Sequence, residues 1–137
     1  MKKSTFRLLA VFSFGCAVFL VGGGVILLGG VSSSPKSTRV QADFNALGSA
    51  LRAYVINTGE PPATHQGLRA LVTMPTTAPV PKRWSQIMKK KPLDPWMMEY
   101  QYLRLPAAPG SYRYELRSAG PDGVFGNADD FAEVFGR

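Results

Sequence analysis

The chain has 137 residues, 16 of them basic and 9 acidic, with a formal net charge of +7. This length leaves room for one small domain and one additional segment. A single cysteine, Cys16, excludes an intramolecular disulfide framework. One histidine, His65, with no cysteine after Cys16, leaves no pair for nucleophilic catalysis, so the composition does not favour an enzyme.

The N-terminal quarter predicts a membrane anchor. Residues 1–7 form a basic end, and residues 8–31 follow as an uncharged, largely apolar stretch of 24 residues. As a helix this stretch spans the roughly 30 Å hydrocarbon core of a bilayer, and it is longer than the apolar region of a cleavable signal peptide. Lys2, Lys3 and Arg7 place the N-terminus in the cytoplasm. We therefore expect a single-pass membrane protein whose residues 32–137 form a domain outside the cytoplasm.

Apolar residues at helical spacing follow the anchor. Pro35 predicts a break after the membrane helix, and Ser37 is the predicted N-cap of the next one. The apolar face of this helix is expected to comprise Val40, Phe44, Leu47, Leu51, Tyr54 and Val55. Gly48 and Arg52 are among the residues expected off that face. The helix should end near Asn57, with Gly59 as its stop signal.

The remaining chain predicts short elements and then strands. A short helix is expected within Thr64–Val72, and one more turn at Trp84, Ile87 and Met88. Residues 100–105 and 112–117 alternate between apolar and polar side chains, which predicts two strands. Residues 131–135 are long enough for a third short strand. The predicted fold is α+β, with an exported helix packed on a small antiparallel sheet.

An acidic, glycine-rich loop, residues 118–130, lies between the last two predicted strands. It carries three carboxylates on a tightly turning backbone. Calcium takes six to eight oxygen ligands, which Asp side chains and free carbonyls supply. Asp and Asn beside Gly also cap turns by bonding their own backbone. Spacing alone leaves both interpretations open.

The basic run Lys89-Lys90-Lys91 is the one dense cluster of cations in the chain. It is not accompanied by interleaved aromatic residues or a known nucleic-acid motif. We interpret it as part of a solvated loop and expect no nucleic-acid partner.

Four blocks resemble the major pseudopilins, the G-type subunits of type II secretion systems. The likeness covers roughly residues 41–131, and its strength lies in the order of the blocks. In chain order they are Asp43-x-x-Ala46-Leu47-x-x-Ala50-Leu51-x-x-Tyr54 with Asn57, Gly59 and Pro62; Thr64-x-Gln66-Gly67-Leu68-x-Ala70-Leu71-Val72; Asp94-Pro95-Trp96 with Tyr100-Gln101-Tyr102; and Tyr114-x-Leu116-x-Ser118-x-Gly120-x-Asp122-Gly123, closing with Asp129-Asp130.

The resemblance implies a pilin-like fold and assembly into a short periplasmic filament that supports protein export. The implied partners are copies of the chain or other pseudopilins, inner-membrane secretion components and membrane lipid. It also implies a calcium site whose ligands are Asp122, Asp129, Asp130 and the backbone carbonyl of Ala119. Ser118 is an additional candidate ligand.

Two features differ from the family pattern. Family members open their membrane helix with Phe-Thr-Leu-Ile-Glu, whereas this segment opens with Phe6-Arg7-Leu8-Leu9 and has no glutamate before Glu60. That glutamate normally pairs with a neighbouring subunit's N-terminus. We therefore expect an unprocessed N-terminal segment and keep a second hypothesis, a membrane-tethered periplasmic module that binds partners without polymerising. In addition, Met97-Met98-Glu99 replaces a Gly-Asn-Pro turn.

Overall fold

The computed structural model describes residues 34–137. The predicted basic end, residues 1–7, and the predicted membrane span, residues 8–31, lie outside the described residues. Within residues 34–137 no helix combines the length and the apolar character that a membrane crossing requires.

The long helix α1 spans Pro35–Thr58. Its N-cap is Ser34, whose extended backbone is the conformation that a following proline favours. The Ser34 hydroxyl accepts a hydrogen bond from the Ser37 amide at 3.2 Å. Pro35 fits the first turn because N–H groups in that turn have no intrahelical acceptor, so the N–H that proline lacks is not needed there. The predicted N-cap, Ser37, was therefore wrong by three positions, whereas the predicted stop at Gly59 is confirmed.

The apolar face of α1 forms one side of the core. Its buried apolar side chains recur every three or four positions. Val55, which was predicted on this face, is only half-buried. Gly48, predicted to lie off the face, is buried. A Cβ atom on Gly48 would lie 2.8 Å from Phe135 Cε1, so glycine permits the close approach of helix and sheet. The buried positions of α1 are Val40, Phe44, Leu47, Gly48, Leu51 and Tyr54.

Two short segments cover the C-terminal end of α1. A 3-10 helix spans Gly67–Leu71, shorter than the predicted helix. The predicted turn at Trp84, Ile87 and Met88 was wrong, because this segment has no helical hydrogen bonds. Instead the Ile87 and Met88 amides both donate to the Leu71 carbonyl at 3.0 Å. The segment is irregular, and these two bonds tie it to the end of the 3-10 helix.

Three antiparallel strands form the sheet in the order β1-β2-β3. Strand β1 spans Gln101–Leu105, β2 spans Arg113–Ser118 and β3 spans Phe131–Gly136. All three predicted strands are thus confirmed to within one residue at each end. The α+β fold is confirmed as well, and its central strand β2 ends where the acidic loop begins.

Buried tyrosines bind the sheet to the helical side. The Tyr100 hydroxyl donates to Asp43 on α1 at 2.7 Å, and the Tyr102 hydroxyl donates to the Pro62 carbonyl at 2.7 Å. Burial, and for Tyr100 also the hydrogen bond to Asp43, raises the pKa of both phenols above the usual value. Burial likewise raises the pKa of Tyr114 to about 12. The raised pKa values extend to higher pH the range in which these phenols remain hydrogen-bond donors.

The assigned helix face makes a stability prediction. Leu51 is 0% exposed, so Leu51→Ala should lower the free energy of unfolding by about 2–5 kcal/mol through lost burial and a residual cavity. Arg52→Ala, at the next and exposed position, should change it by no more than about 0.5 kcal/mol. Thermal melting of the full chain in detergent measures both variants. Equal losses at the two positions would contradict the assignment of the buried face.

Candidate metal loop

The acidic loop connects β2 to β3 and is closed at its base by the sheet. The last residue of β2, Ser118, pairs with the first residue of β3, Phe131. Ser118 and Ala119 are fully buried, whereas most of residues 121–128 are exposed. The loop therefore has a rigid buried base and a solvent-facing tip.

Gly120 brings the two arms of the loop together. It has a φ of +66°, and a Cβ atom there would collide with the Asp129 carbonyl oxygen. The same Cβ position is 3.1 Å from Asp129 Oδ2. The structure thus places the Asp129 carboxylate beside Gly120.

Asp122 is engaged in turn chemistry at the tip. Its Oδ1 accepts a hydrogen bond from the Val124 amide at 2.8 Å, and its Oδ2 accepts one from Asn127 Nδ2 at 2.6 Å. The first contact is an Asx turn, in which a side chain bonds the backbone two residues further on. The turn-capping interpretation of the loop therefore corresponds to hydrogen bonds that are present in this structure.

Asp130 has one satisfied and one unsatisfied oxygen. Oδ2 accepts a hydrogen bond from the Gly126 amide at 2.7 Å. Oδ1 is buried and has no hydrogen-bond partner among the described residues. A buried acceptor without a donor is uncommon and is often explained by an absent water or ion.

The four predicted ligands are brought into one loop but not into a complete side-chain cluster. Asp129 lies beside Gly120, while Asp122 and Asp130 both bond to the turn at residues 124–127. Among residues 34–137, no three His, Cys, Asp or Glu side chains are grouped so that they could hold a metal ion. The donors available are nonetheless all oxygens, the type that calcium prefers, and the orphaned Asp130 Oδ1 is suited to a cation.

The sequence alone did not reveal the role of Asp94. Asp94 is 1% exposed, and its Oδ1 accepts hydrogen bonds from the Trp96 and Met98 amides, both at 2.9 Å. Its Oδ2 accepts the Ser118 hydroxyl at 2.6 Å. One signal was available: Ser118 continues the inward positions of Tyr114 and Leu116 on β2, and a buried polar side chain needs a partner.

Residues 94–98 form a tight turn with a strained backbone. The Met97 amide donates to the Asp94 carbonyl at 3.0 Å, and the Asp94 amide donates to the Met98 carbonyl at 2.8 Å. Met97 is the one non-glycine residue with positive φ in the described part of the chain, at +70°. It occupies the position where the resemblance expects glycine, which explains the strain.

Comparison with known proteins identifies the family. The family described as type II secretion system protein G matches residues 28–136. The type II secretion system core protein G of Pseudomonas aeruginosa is 41% identical over 102 residues, covering 72% of this chain and 69% of that protein. The chain belongs to the type II secretion system protein G family.

Other members of the protein G family agree. The core protein G of Escherichia coli strain K12 is 33% identical over 134 residues, covering 94% of this chain and 89% of that protein. The crystal structure of the major pseudopilin from the type 2 secretion system of enterohaemorrhagic Escherichia coli matches with a TM-score of 0.62 and 37% identity, over 69% of this chain and 82% of that chain. The chain is a structural pseudopilin subunit of the type II secretion system, and the predicted pilin-like fold is confirmed.

The strained turn of this pseudopilin gives a further prediction. Met97→Gly should raise the free energy of unfolding by about 0.5–1 kcal/mol. Glycine avoids a cost of about 1–2 kcal/mol for positive φ but loses about 0.5–1 kcal/mol more conformational entropy on folding. The Met97 side chain is 73% exposed, so little packing is lost. Thermal melting measures the change.

Met98→Gly serves as the matched control for this prediction. Met98 does not have positive φ, and its side chain lies against Gly123. Glycine at position 98 should therefore lower the melting temperature. A loss of stability in Met97→Gly as well would show that the turn is not strained.

Proposed function

We propose that this pseudopilin assembles with copies of itself or with other pseudopilins into a short periplasmic pseudopilus that supports protein export. The observation that supports this most strongly is the family match over residues 28–136, which includes nearly all of the described fold. The proposed role is structural and not enzymatic. The one histidine, His65, is exposed, and the buried polar contacts described above hold the fold together.

In this proposal residues 8–31 anchor the subunit in the inner membrane, and residues 32–137 lie in the periplasm. The length and lack of charge of the segment support an anchor. The Escherichia coli relative covers 94% of this chain, so that alignment includes most of residues 1–33. Membrane lipid and inner-membrane secretion components are the further partners we propose. No nucleic-acid partner is proposed.

A second candidate function is a membrane-tethered periplasmic module that binds partners without polymerising. It is favoured by one observation, the lack of any glutamate before Glu60. An acidic side chain inside the membrane would otherwise be available to pair with a neighbouring N-terminus. Residues 34–137 are compatible with both functions, since the difference concerns the N-terminal segment.

Chemical cross-linking of intact cells distinguishes the two candidates. For the polymerising subunit we expect a ladder of multiples of the 14.9 kDa chain, which is lost in cells lacking the secretion ATPase. The tethered module predicts no ladder, together with cross-links to other proteins that persist without the ATPase. Loss of protein export on deletion of the gene is expected in both cases. Unaffected export on deletion would contradict both.

We also propose that the acidic loop binds calcium through Asp122, Asp129, Asp130 and the Ala119 carbonyl, with Ser118 as an additional candidate. Support comes from the all-oxygen donor set, from the position of Asp129 beside Gly120 and from the unsatisfied Asp130 Oδ1. The ion would offset the repulsion among three carboxylates in one loop. Binding would replace the contact in which the Asn127 side-chain amide donates to the Asp122 carboxylate.

Calcium should therefore stabilise the folded chain. A ligand that binds only the folded state, present at a hundredfold excess over its Kd, adds about 2.7 kcal/mol. Magnesium should substitute poorly, because it requires tighter octahedral geometry and gives up water reluctantly. Thermal melting of the full chain in calcium, magnesium or chelator measures the effect.

Loop variants test the ligand assignment. Asp122→Ala or Asp129→Ala should abolish the response to calcium. Glu115→Ala should preserve it, because that carboxylate pairs with Arg117 at 2.7 Å and not with the loop. Identical melting temperatures of the unaltered chain in calcium, magnesium and chelator would leave turn chemistry as the whole explanation of the loop.

A further inference from the structure

Asp94 is a buried carboxylate held only by neutral donors. Its three hydrogen bonds come from the Trp96 amide, the Met98 amide and the Ser118 hydroxyl. No salt bridge to Asp94 is present among residues 34–137. Burying a carboxylate is costly unless its oxygens are well hydrogen-bonded, so these contacts fix both the carboxylate and its partners firmly.

The contact with Ser118 sets the direction of one hydroxyl proton. An ionised carboxylate only accepts hydrogen bonds, and a serine hydroxyl has a single proton to donate. The Ser118 proton is therefore committed to Asp94, at 2.6 Å. The lone pairs of the same oxygen are left to face the loop, where the Gly120 amide donates to it at 3.3 Å.

Ser118 stands at the entrance to the acidic loop. It pairs with Phe131 across the base of the loop and directly precedes Ala119. Its contact with the Gly120 amide fixes the turn that carries the Ala119 carbonyl and lies beside Asp129. The position of these donors therefore depends on the orientation of Ser118.

The turn at residues 94–98 supports the loop at a second point. The Met98 amide is held by Asp94. The Met98 side chain lies against Gly123, where a Cβ atom would be 3.5 Å from Met98 Cε. Asp94 thus acts on both sides of Asp122, through Ser118 and Gly120 on one side and through Met98 and Gly123 on the other.

We propose that Asp94 is a positioning residue for cation binding by the acidic loop, acting through the Ser118 hydroxyl. This inference rests on the calcium site proposed above. Residues that hydrogen-bond to metal ligands and orient them typically contribute 10–100-fold to metal affinity. Asp94→Asn preserves the size of the side chain but can present an amide donor to Ser118, which removes the requirement that the hydroxyl donate.

The test measures the calcium Kd of the full chain in detergent, by isothermal titration with calcium chloride. We expect Asp94→Asn to weaken calcium binding about 10–100-fold. Ser118→Ala should weaken it to a similar extent. The double variant should bind calcium no more weakly than the weaker-binding single variant, because both substitutions break the same contact.

The matched control is Asp43→Asn. Asp43 also accepts a tyrosine hydroxyl, from Tyr100 at 2.7 Å, but it lies on α1 and has no contact with the loop. The calcium Kd of the Asp43→Asn variant should stay within about twofold of the Kd of the unaltered chain. Melting in chelator is recorded for every variant, so a loss of affinity can be separated from a loss of stability.

Each outcome decides the proposal. An unchanged Kd in Asp94→Asn overturns it, as does a double variant in which the two effects multiply. If Asp94→Asn does not fold, an unchanged Kd in Ser118→Ala overturns it equally. A folded, unaltered chain that binds no calcium overturns the calcium site itself, and the positioning role with it. Calcium binding that is insensitive to Asp94 overturns only the positioning role.

Discussion

Burial of one face of α1 against three short strands is the interaction on which the rest of the structure depends. Neither a three-stranded sheet of this size nor an isolated amphipathic helix is stable in water without a partner. Phe44, Leu47 and Leu51 supply the helical side of the core, and Tyr114 and Leu116 supply the side of the central strand. Gly48 allows a close approach of α1 to Phe135 on β3. The pairing of helix and sheet fixes β2, and β2 in turn fixes the entrance to the acidic loop.

The loop combines a rigid base with an acidic tip. Its base is held by strand pairing at Ser118 and by the Asp94 carboxylate, both buried. Its tip is held by Asx-type contacts of Asp122 and by the Gly126 contact of Asp130. This division combines turn chemistry at the tip with the oxygen atoms that the proposed calcium site would use. In a pseudopilin, such a loop would stiffen one end of the sheet.

Hydrophobic periodicity was sufficient to predict the helix α1 and the three strands, but it was insufficient for the short connecting segments. The helix and the three strands were predictable because repeated burial of one face imposes a period on many residues. The segment at Trp84, Ile87 and Met88 carries apolar residues at helical spacing. It nevertheless forms no helical turn, because the Ile87 and Met88 amides bond to the Leu71 carbonyl. At the start of α1, Ser34 and not Ser37 caps the helix, because Pro35 is compatible with the first helical turn.

The sequence by itself determined the α+β fold and the position of the acidic loop, because these depend on local pattern and residue type. The tertiary structure decided which residues of the loop and its surroundings meet. The contact between Asp94 and Ser118 joins residues 24 positions apart, and the approach of Gly120 to Asp129 depends on the register of β2 and β3. Contacts of this kind leave no periodic trace in the sequence, because packing of the sheet, and not local preference, brings the residues together.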